Sequence, residues 1–294
     1  MLRISRKAKT AGHDRYAVDN NVGKRTFDIG MRKSMCTSAV GHPSDPNFML
    51  SLARGLKVLR AFEGRTSLSV AEAARISDLS RPSAGRCLHT LVQLGYFREE
   101  GGRYSPTPAL LPLACGFLTS TPLASASQAV ANALRDRLEE TVSVAALSPS
   151  DPGRIIYIAR AERDQIIAAP LMVGSTLPSF CTSMGRVLLA ALDSTDRDCW
   201  LGSATLKPRT KRTVVDPDML RAELVRVAQQ CWSLVEAELE PDLLSLAVPV
   251  RDHKGAVVAA LNIATFSHAH SRDKMLAVQL PELRAAARQL ERAI

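Results

Sequence analysis

Residues 69–107 read SVAEAARISDLSRPSAGRCLHTLVQLGYFREEGGRYSPT, and this stretch decides the fold of the N-terminal region. Ser69 and Glu72 have the S-x-x-E spacing of a capping box, which predicts that a helix begins at Val70. Apolar residues recur at helical spacing along this helix and predict one buried side: Val70, Ala73, Ala74 and Ile76.

A second helix is predicted between Ser80 and Gly95. Ser80 is a favourable N-cap, Pro82 is tolerated in a first turn, and Gly95 can end the helix in the left-handed conformation. Three apolar residues can pack inward: Ala84, Leu88 and Leu91. Side chains able to contact base edges and phosphates fall toward the other side: Arg81, Ser83, Arg86, His89 and Gln93.

A two-stranded wing is predicted next, because residues 96–98 and 103–105 flank the turn Glu99-Glu100-Gly101-Gly102. Two helices followed by such a wing fit a DNA groove. We expect Arg98 and Arg103 to be its phosphate contacts, since the acidic pair at the tip is unfavourable there. The alternative interpretation is a small helical subdomain with a solvated polar face.

Charge is distributed unevenly and favours a polyanionic partner. Residues 1–120 hold 18 Lys/Arg and 9 Asp/Glu, whereas residues 121–294 hold 20 of each, so the whole net charge of +9 lies in the first part. A cationic surface attracts nucleic acid by counterion release, whatever the base sequence. Residues 1–46 supply +5 of this charge, have no apolar period and are predicted to form a flexible tail.

Composition narrows the class of protein. The 294 residues, 46% of them hydrophobic, are enough for two domains with buried cores. No run reaches the roughly 18 apolar residues that span a bilayer, and the N-terminus lacks the apolar segment of a secretory signal. The six cysteines form no CxxC pair and are expected to be reduced core thiols, without a metal site. We therefore expect a cytoplasmic protein that does not contact a membrane.

The boundary between domains is predicted from a change of pattern. A first helix over residues 47–63 is expected to close a three-helix core with one stripe: Leu52, Leu56, Leu59 and Phe62. A helix capped by Thr107 is almost wholly apolar, so it must bury itself against another surface. The expected organisation is a basic tail over 1–46, a winged helix-turn-helix domain over 47–106, a linker helix over 107–123 and a second domain over 124–294.

The second domain alternates between strand-like and helical segments. Hairpin-linked strands with helices at both ends argue for an antiparallel sheet covered by helices, an α+β fold. Helices are predicted over 128–140, 183–192, 217–230 and 274–292, and strands over 142–147, 154–161, 165–173, 245–251 and 256–265.

Catalytic and cofactor motifs are absent from the sequence: it has no nucleotide-binding loop, no nucleophile elbow and no metalloprotease motif. Three polar residues that follow a strand are expected to lie in a solvated loop: His268, His270 and Asp273. Three carboxylates alternate along an extended segment and are predicted to share one exposed strand face: Glu236, Glu238 and Glu240. We expect neither a catalytic site nor a bound cofactor.

The most suggestive site is the loop over residues 174–185, GSTLPSFCTSMG, which leads into a helix at about Met184. A helix N-terminus presents free backbone N–H groups and a partial positive charge, which suit a carboxylate. The alternative is that Thr182 or Ser183 is only an N-cap and that Cys181 is a buried filler.

Three blocks in this order resemble the IclR-type bacterial transcription regulators: SLARGLKVLRAF, RCLHTLVQLGYF and VGSTLPSFCTSMGRVLLAAL. The segment VEAELEPDLLSLAVPVRDHKGAVVAALNIAT extends the similarity, which covers residues 47–294. Details such as LPSFCTSMGR and SLAVPVRD are similar to the branch that controls aromatic-acid catabolism through the β-ketoadipate pathway. Members of that branch respond to protocatechuate, 4-hydroxybenzoate or β-ketoadipate.

This resemblance implies a GAF-like effector-binding domain over residues 124–294 and a dimer or dimer of dimers. The implied partners are double-stranded operator DNA, a small carboxylate effector and RNA polymerase. The implied effector pocket is formed by Cys181, Thr182, Ser183, Met184, Val235, Glu236, Ser245 and Asn262. Glu236 stands where the family often has Asp, and Gly85 replaces a residue that is commonly Arg. A carboxylate at Glu236 would repel an anionic effector, which favours an acid that also carries a hydroxyl.

The function indicated is a ligand-responsive, sequence-specific regulator of transcription without catalysis. A second hypothesis is an enzyme with an accessory DNA-binding module, in which Cys181 is the nucleophile and His268 or His270 the base. A third is a structural DNA binder without sequence preference, whose salt-dependent affinity ignores small ligands.

Overall fold

A computed structural model of the chain describes residues 45–163 and 171–294. Almost all of the predicted basic tail, and most of the strand predicted over 165–173, lie outside the described residues.

The N-terminal region folds into three helices and a small antiparallel sheet of order β1-β3-β2. Its elements are α1 (Leu50–Arg60), β1 (Leu68–Ser69), α2 (Val70–Ser77), α3 (Arg81–Gln93), β2 (Phe97–Glu100) and β3 (Arg103–Pro106). The predicted capping box is formed: the Ser69 hydroxyl accepts from the Glu72 N–H at 3.3 Å, and the Glu72 carboxylate accepts from the Ser69 N–H at 2.7 Å. Gly95 follows α3 with φ +77°, and the two glycines of the wing turn also have positive φ.

The predicted apolar stripe of α1 is wrong in part. Phe62 and Val58 are buried, but the side chains of Leu52 and Leu56 are 58% and 53% exposed. At about 100° per residue, Leu52 and Leu56 lie roughly 120° and 160° around the helix from Val58. Two apolar residues therefore face outward from the small domain.

The predicted linker helix forms and leaves its apolar side chains uncovered. Thr107 accepts a hydrogen bond from the Ala109 N–H, and a 3-10 turn (Pro108–Leu110) leads into α4 (Leu111–Ser120). None of the ten residues of α4 is buried. No single helix in the described ranges is long and apolar enough to cross a membrane; Pro108–Ser120 and Pro122–Leu138 pass that test only together, and they bend by 82°.

The C-terminal region is the predicted antiparallel α+β domain. Its six-stranded sheet has the order β6-β5-β4-β9-β8-β7. The strands are β4 (Thr141–Ser148), β5 (Asp151–Ala161), β6 (Thr176–Pro178), β7 (Ser233–Glu236), β8 (Leu243–Arg251) and β9 (Val257–Phe266). The helices are α5 (Pro122–Leu138), α6 (Ser183–Ala190), α7 (Ser194–Ser203), α8 (Pro217–Gln230), α9 (Arg272–Lys274) and α10 (Leu280–Glu291).

Two hydrophobic cores cover the two faces of this sheet. One core joins α5 and α10 to residues such as Val144, Leu246 and Ile263. The other joins α6, α7 and α8 to residues such as Ala145 and Ala260. The sheet is thus buried on both faces, and the helix α6 lies against its centre.

Five local features differ from the predictions. The helix α7 and the strand β7 were not predicted, and the closing helix is interrupted by a π turn (Met275–Gln279) between α9 and α10. Residues 171–173 are not strand, and the strand that pairs with β5 is β6. Glu236, Glu238 and Glu240 do not share a strand face, because β7 ends at Glu236 and Ala237 adopts φ +54°.

Candidate functional site

The outer side of α3 carries the predicted DNA-contacting residues. Ala84, Leu88 and Leu91 are buried beneath it. Arg81, Arg86, His89 and Gln93 are exposed, and Ser83 is half-buried with its hydroxyl 3.1 Å from that of Ser80. These side chains thus form one polar surface on a helix whose other side is fixed in a core.

Gly85 on this helix is not required by packing. A Cβ added there would meet only the Val70 Cγ1 at 3.6 Å, an ordinary contact. Neither crowding nor a special backbone angle therefore requires a glycine at this position.

Arg103 has a structural role in the wing. Its Nε donates to the Ser67 hydroxyl at 2.9 Å, and its guanidinium lies 3.4 Å from the Glu72 carboxylate. Hydrogen bonds from Ser69, followed by the charge of Arg103, lower the pKa of Glu72. The wing is thereby tied to the start of α2, while Arg98 on β2 is exposed.

A cavity lies between the N-terminus of α6 and the centre of the large sheet. About 380 Å³ of space lies between these elements when the open solvent at its mouth is counted. Its lining comes from β5, α6, β8, β9 and the loop before β8: Tyr157, Arg160, Thr182, Ser183, Met184, Leu239, Leu243, Ser245, Asn262 and Ala264. The register of the sheet brings these residues together, since Ser245 pairs with Ala264 and Ser143 lies between Asn262 and Arg160.

Three buried polar atoms of the lining have no hydrogen-bond partner: Arg160 Nε, Ser183 Oγ and Asn262 Oδ1. A buried polar group left unpaired costs about 1–3 kcal/mol, more if it is charged. These atoms, one cationic donor, one hydroxyl and one acceptor, belong to residues that line the same cavity. This set of groups suits a polar molecule that fills the cavity.

Arg160 is the cation of this cavity. Its side chain is 7% exposed, bonds the Ser143 hydroxyl at 3.1 Å and meets the Glu162 carboxylate at 2.8 Å. Its guanidinium also lies 5.9 Å from the centre of the Tyr157 ring. Burial, partly offset by Arg160, raises the pKa of Tyr157 to about 12, so this phenol stays protonated.

Five of the eight predicted effector residues line the cavity: Thr182, Ser183, Met184, Ser245 and Asn262. Of these, Thr182 is also the N-cap of α6, because its hydroxyl accepts from the Gly185 N–H at 3.2 Å and donates to the Pro178 carbonyl at 2.9 Å. The N-cap that was considered as an alternative is therefore present, beside the cavity rather than instead of it.

The other three predicted residues lie outside the lining. Cys181 is buried in the core around α6, and Val235 is buried on β7. Glu236 forms an ion pair with Arg212 at 2.8 Å. The expected conflict between Glu236 and an anionic effector does not arise in this arrangement, because its carboxylate has a cation of its own.

Sequence reasoning missed five lining residues: Tyr157, Arg160, Leu239, Leu243 and Ala264. Arg160 gave one detectable signal. It stands within the strand-like run IIYIARA, where a charged residue needs a partner if the strand is central.

Gly185 allows α6 to reach this position. A Cβ there would lie 2.0 Å from the Ser179 carbonyl oxygen and 2.3 Å from the Ser179 Cα. Both atoms belong to the backbone and cannot swing aside. The helix therefore packs directly on the preceding loop, which places Ser183 and Met184 at the cavity.

The arrangement does not support catalysis by Cys181. Burial, followed by the charge of Glu238, raises the pKa of its thiol to about 12, so the nucleophilic thiolate is suppressed. His268 is exposed and stacks on Phe266 at 5.1 Å, and the His270 Nε2 lies against the Glu140 carboxylate. Both proposed bases are thus engaged elsewhere.

Comparison with known proteins gives matches along almost all of the described chain. The IclR helix-turn-helix domain matches residues 51–101, and the bacterial transcriptional regulator IclR C-terminal domain matches residues 115–292. The chain is 44% identical over 248 residues to the Pca regulon regulatory protein of Pseudomonas putida, a match that covers 84% of each chain.

Two solved structures share the fold. A transcriptional regulator from Rhodococcus sp. RHA1 is 34% identical, with a TM-score of 0.69 over 84% of this chain and 98% of that one. The inducer-binding domain of a double mutant of the transcription factor PobR from Acinetobacter, in complex with 3-hydroxybenzoic acid, is 28% identical. Its TM-score is 0.53 over 57% of this chain and 97% of that one. The chain belongs to the IclR family of bacterial transcriptional regulators and is a helix-turn-helix regulator of transcription, not an enzyme.

Proposed function

We propose that this protein regulates genes of aromatic-acid catabolism in the β-ketoadipate pathway, in response to a small carboxylate bound in the cavity beside α6. Its similarity to a regulator of the Pca regulon and to a domain crystallised with a hydroxybenzoic acid supports the pathway. The observation that carries the proposal is the set of three unpartnered buried atoms of Arg160, Ser183 and Asn262 around one cavity.

The chemistry of the cavity suits a hydroxylated aromatic acid. A carboxylate can accept from Arg160 and from the Ser183 hydroxyl, and charge-assisted bonds of this kind are the strong ones. Asn262 Oδ1 requires a donor, which a ring hydroxyl supplies. Met184, Leu239 and Leu243 offer apolar surface for a ring. A plain benzoate, or β-ketoadipate, would leave the Asn262 oxygen without a donor.

Calorimetry of the full chain tests this proposal. The ligands are 4-hydroxybenzoate, protocatechuate, benzoate and β-ketoadipate, and we expect the two hydroxylated aromatic acids to bind most tightly. Arg160→Met should weaken binding by about 10- to 100-fold, the value of a hydrogen bond to a charged group. Arg154→Met is the matched control, since Arg154 lies on the same strand but is exposed and bonds Thr176. Equal binding by parent and Arg160→Met, or binding of none of the four acids, would overturn the assignment.

We also propose that α3 and the wing hold the operator through Arg81, Ser83, Arg86, His89, Gln93, Arg98 and Arg103. The exposed polar side of α3 supports this assignment. Arg86→Ala should cost about 1–3 kcal/mol on an operator selected by the parent from random duplexes, measured by fluorescence anisotropy. Arg288→Ala, an equal loss of charge on the exposed side of α10, is the control. Equal affinity of the two variants would contradict the helix assignment.

The working unit that we propose is a dimer, or a dimer of dimers, joined through α4 and α1. Six large apolar side chains of these helices are exposed in the single chain: Leu50, Leu52, Leu56, Leu111, Leu113 and Phe117. Exposed apolar groups of this size mark an interface. A second copy of the chain is the partner that also supplies a second recognition helix for an operator half-site.

The domain boundaries that we propose are residues 1–46 for the tail, 47–106 for DNA binding, 107–123 for the linker and 124–294 for effector binding. Separate hydrophobic cores on either side of α4 support the division. A regulator of this kind acts in the cytoplasm, where operator DNA and RNA polymerase are found.

A further inference from the structure

The loop over residues 237–242, between β7 and β8, forms one wall of the effector cavity. Leu239 and, at the start of β8, Leu243 face the cavity. Ala237 and Asp242 adopt φ +54° and +60°, a conformation that residues with a side chain rarely take. Such a backbone persists only where its surroundings hold it.

Two hydroxyls hold the loop from outside. Thr210 donates to the Ala237 carbonyl at 2.6 Å, and Thr213 donates to the Glu238 carbonyl at 2.6 Å. The Val214 N–H donates to the Glu238 carboxylate at 3.0 Å. The segment over residues 210–214 is thereby bonded to the start of the loop.

One buried cation holds the loop from inside. Arg186 is 3% exposed and donates from one terminal nitrogen to the Glu238 carboxylate at 2.7 Å. Its Nε donates to the Phe180 carbonyl at 2.9 Å, three residues before Ser183. A single guanidinium therefore joins the two walls of the cavity. A buried ion pair often adds little to the free energy of unfolding. We therefore infer that the Arg186–Glu238 pair serves to hold the loop over residues 237–242 in one conformation.

We propose that Glu238, held by Arg186, is a positioning residue that fixes Leu239 against the effector cavity, and that Leu239 thereby limits the length of the acid accepted. The inference rests on the proposed effector site and deepens it. It makes the preference for acids whose carboxylate is attached directly to the ring, over acids with a longer side chain, depend on Glu238. Glu238 does not itself line the cavity.

The experiment compares 4-hydroxybenzoate with 4-hydroxycinnamate, which is longer by two carbons, by calorimetry on the full chain. The variants are Leu239→Ala and the double variant Arg186→Met/Glu238→Gln. The double variant removes both charges together, and the amide oxygen of the introduced glutamine can still accept from the Val214 N–H. The control is Arg137→Met/Glu282→Gln, which removes an exposed ion pair of 2.8 Å between α5 and α10.

We expect the parent and the control to prefer the shorter acid by at least about tenfold, the selectivity that a methylene or two can provide. Leu239→Ala should reduce this ratio about tenfold, and the double variant should reduce it several-fold. A triple variant that combines all three changes should lower it no further than Leu239→Ala alone, because they act through one side chain.

A merely structural role for the pair would lower the affinity for both acids and leave their ratio unchanged, and that result would overturn the proposal. If the double variant fails to fold, Thr213→Val tests the loop, because it keeps the shape of the side chain and removes the bond to the Glu238 carbonyl. It also removes the bonds that the hydroxyl accepts from the Arg209 and Thr210 N–H groups. An unchanged ratio of affinities in this variant would also overturn the proposal. Binding of neither acid by the parent would instead overturn the proposed effector class, and this inference with it.

Discussion

Two helices of this protein are similarly apolar but are covered very differently. In α4, LPLACGFLTS, no residue is buried, whereas in α6, SMGRVLLA, all eight residues are buried. Gly185 lets α6 pack on the backbone of the preceding loop, and Gly116 of α4 faces open space. The difference teaches that apolar composition predicts burial but does not say which surface provides it. The helix α6 is covered by its own chain, whereas a second copy is what we propose for α4.

Thiol labelling probes the two helices directly and has the largest expected effect. Cys115 is exposed on α4, and Cys181, just before α6, is buried with its pKa raised from 9.0 to about 12. At pH 9 the Cys181 thiolate is about 500-fold scarcer than for a thiol of normal pKa, and burial blocks access to it, so its alkylation should be far slower than that of Cys115. Peptide mapping after treatment with iodoacetamide measures the alkylation rates of both cysteines. Comparable rates would contradict the difference in burial between α4 and the start of α6.

The same thiol makes stability depend on pH with a known sign. The folded thiol stays protonated up to about pH 12, while in the unfolded chain it ionises near 9.0. Its contribution to stability is therefore fully present below pH 9 and declines as the pH rises from about 9 to 12. Denaturant titrations across this range should show that decline in the parent and a shallower one in Cys181→Ala.

Gly185→Ala has the next largest expected effect. The added Cβ would lie 2.0 Å from the Ser179 carbonyl oxygen, so α6 must move. We expect a loss of about 3 kcal/mol in the free energy of unfolding, the upper end of overpacking, together with loss of effector binding. Gly202→Ala, in α7 with no atom within 4 Å, is the matched control and should not destabilise. Equal stability of the two variants would mean that α6 is not packed on that loop.

Phe117→Glu tests whether a second copy covers α4. Phe117 is 48% exposed in the single chain, and a charge there would be buried without a partner in a dimer. We expect the dimer dissociation constant to rise by about 30-fold, or roughly 2 kcal/mol, by sedimentation equilibrium. Met219→Glu, at an exposed methionine of α8, should leave it unchanged. A monomeric parent at micromolar concentration would contradict the proposed dimer itself.

The smallest effect concerns the glycine of α4. A Cβ at Gly116 meets no atom within 4 Å, so Gly116→Ala should stabilise the chain by up to about 1 kcal/mol through helix propensity. Thermal unfolding monitored by circular dichroism measures it. Destabilisation would show that a neighbouring backbone packs closely at this glycine, which would locate the covered side of α4.

Local signals made most of the winged helix predictable. The capping box at Ser69, the cap at Ser80 and the glycines of the wing turn act within a few residues, and each occurs as predicted. The stripe of α1 was less predictable, because several leucines fit a helical period and only the packing of Val58 and Phe62 selects the buried side. The π turn before α10 has no local signal of this kind.

The cavity was predictable only where one segment forms it. The loop into α6 indicated Ser183 and Met184, and the family resemblance added Ser245 and Asn262. Arg160 and Leu239 were missed because they come from β5 and from the loop before β8. No single segment of the sequence indicates the strand pairing that brings them together. The ion pair of Glu236 could not be predicted for the same reason, since its partner Arg212 lies 24 residues away in the sequence.

The sequence alone determined the helix caps, the wing, the apolar linker, the antiparallel α+β class and the resemblance to a family of regulators, because each depends on residues close in the chain or on their overall pattern. The tertiary structure alone decided which apolar helix is covered, that Glu236 pairs with Arg212, and that one unpartnered buried atom each of Arg160, Ser183 and Asn262 belongs to the lining of one cavity. These features depend on contacts between residues far apart in sequence, because burial decides whether a charged or polar side chain needs a partner.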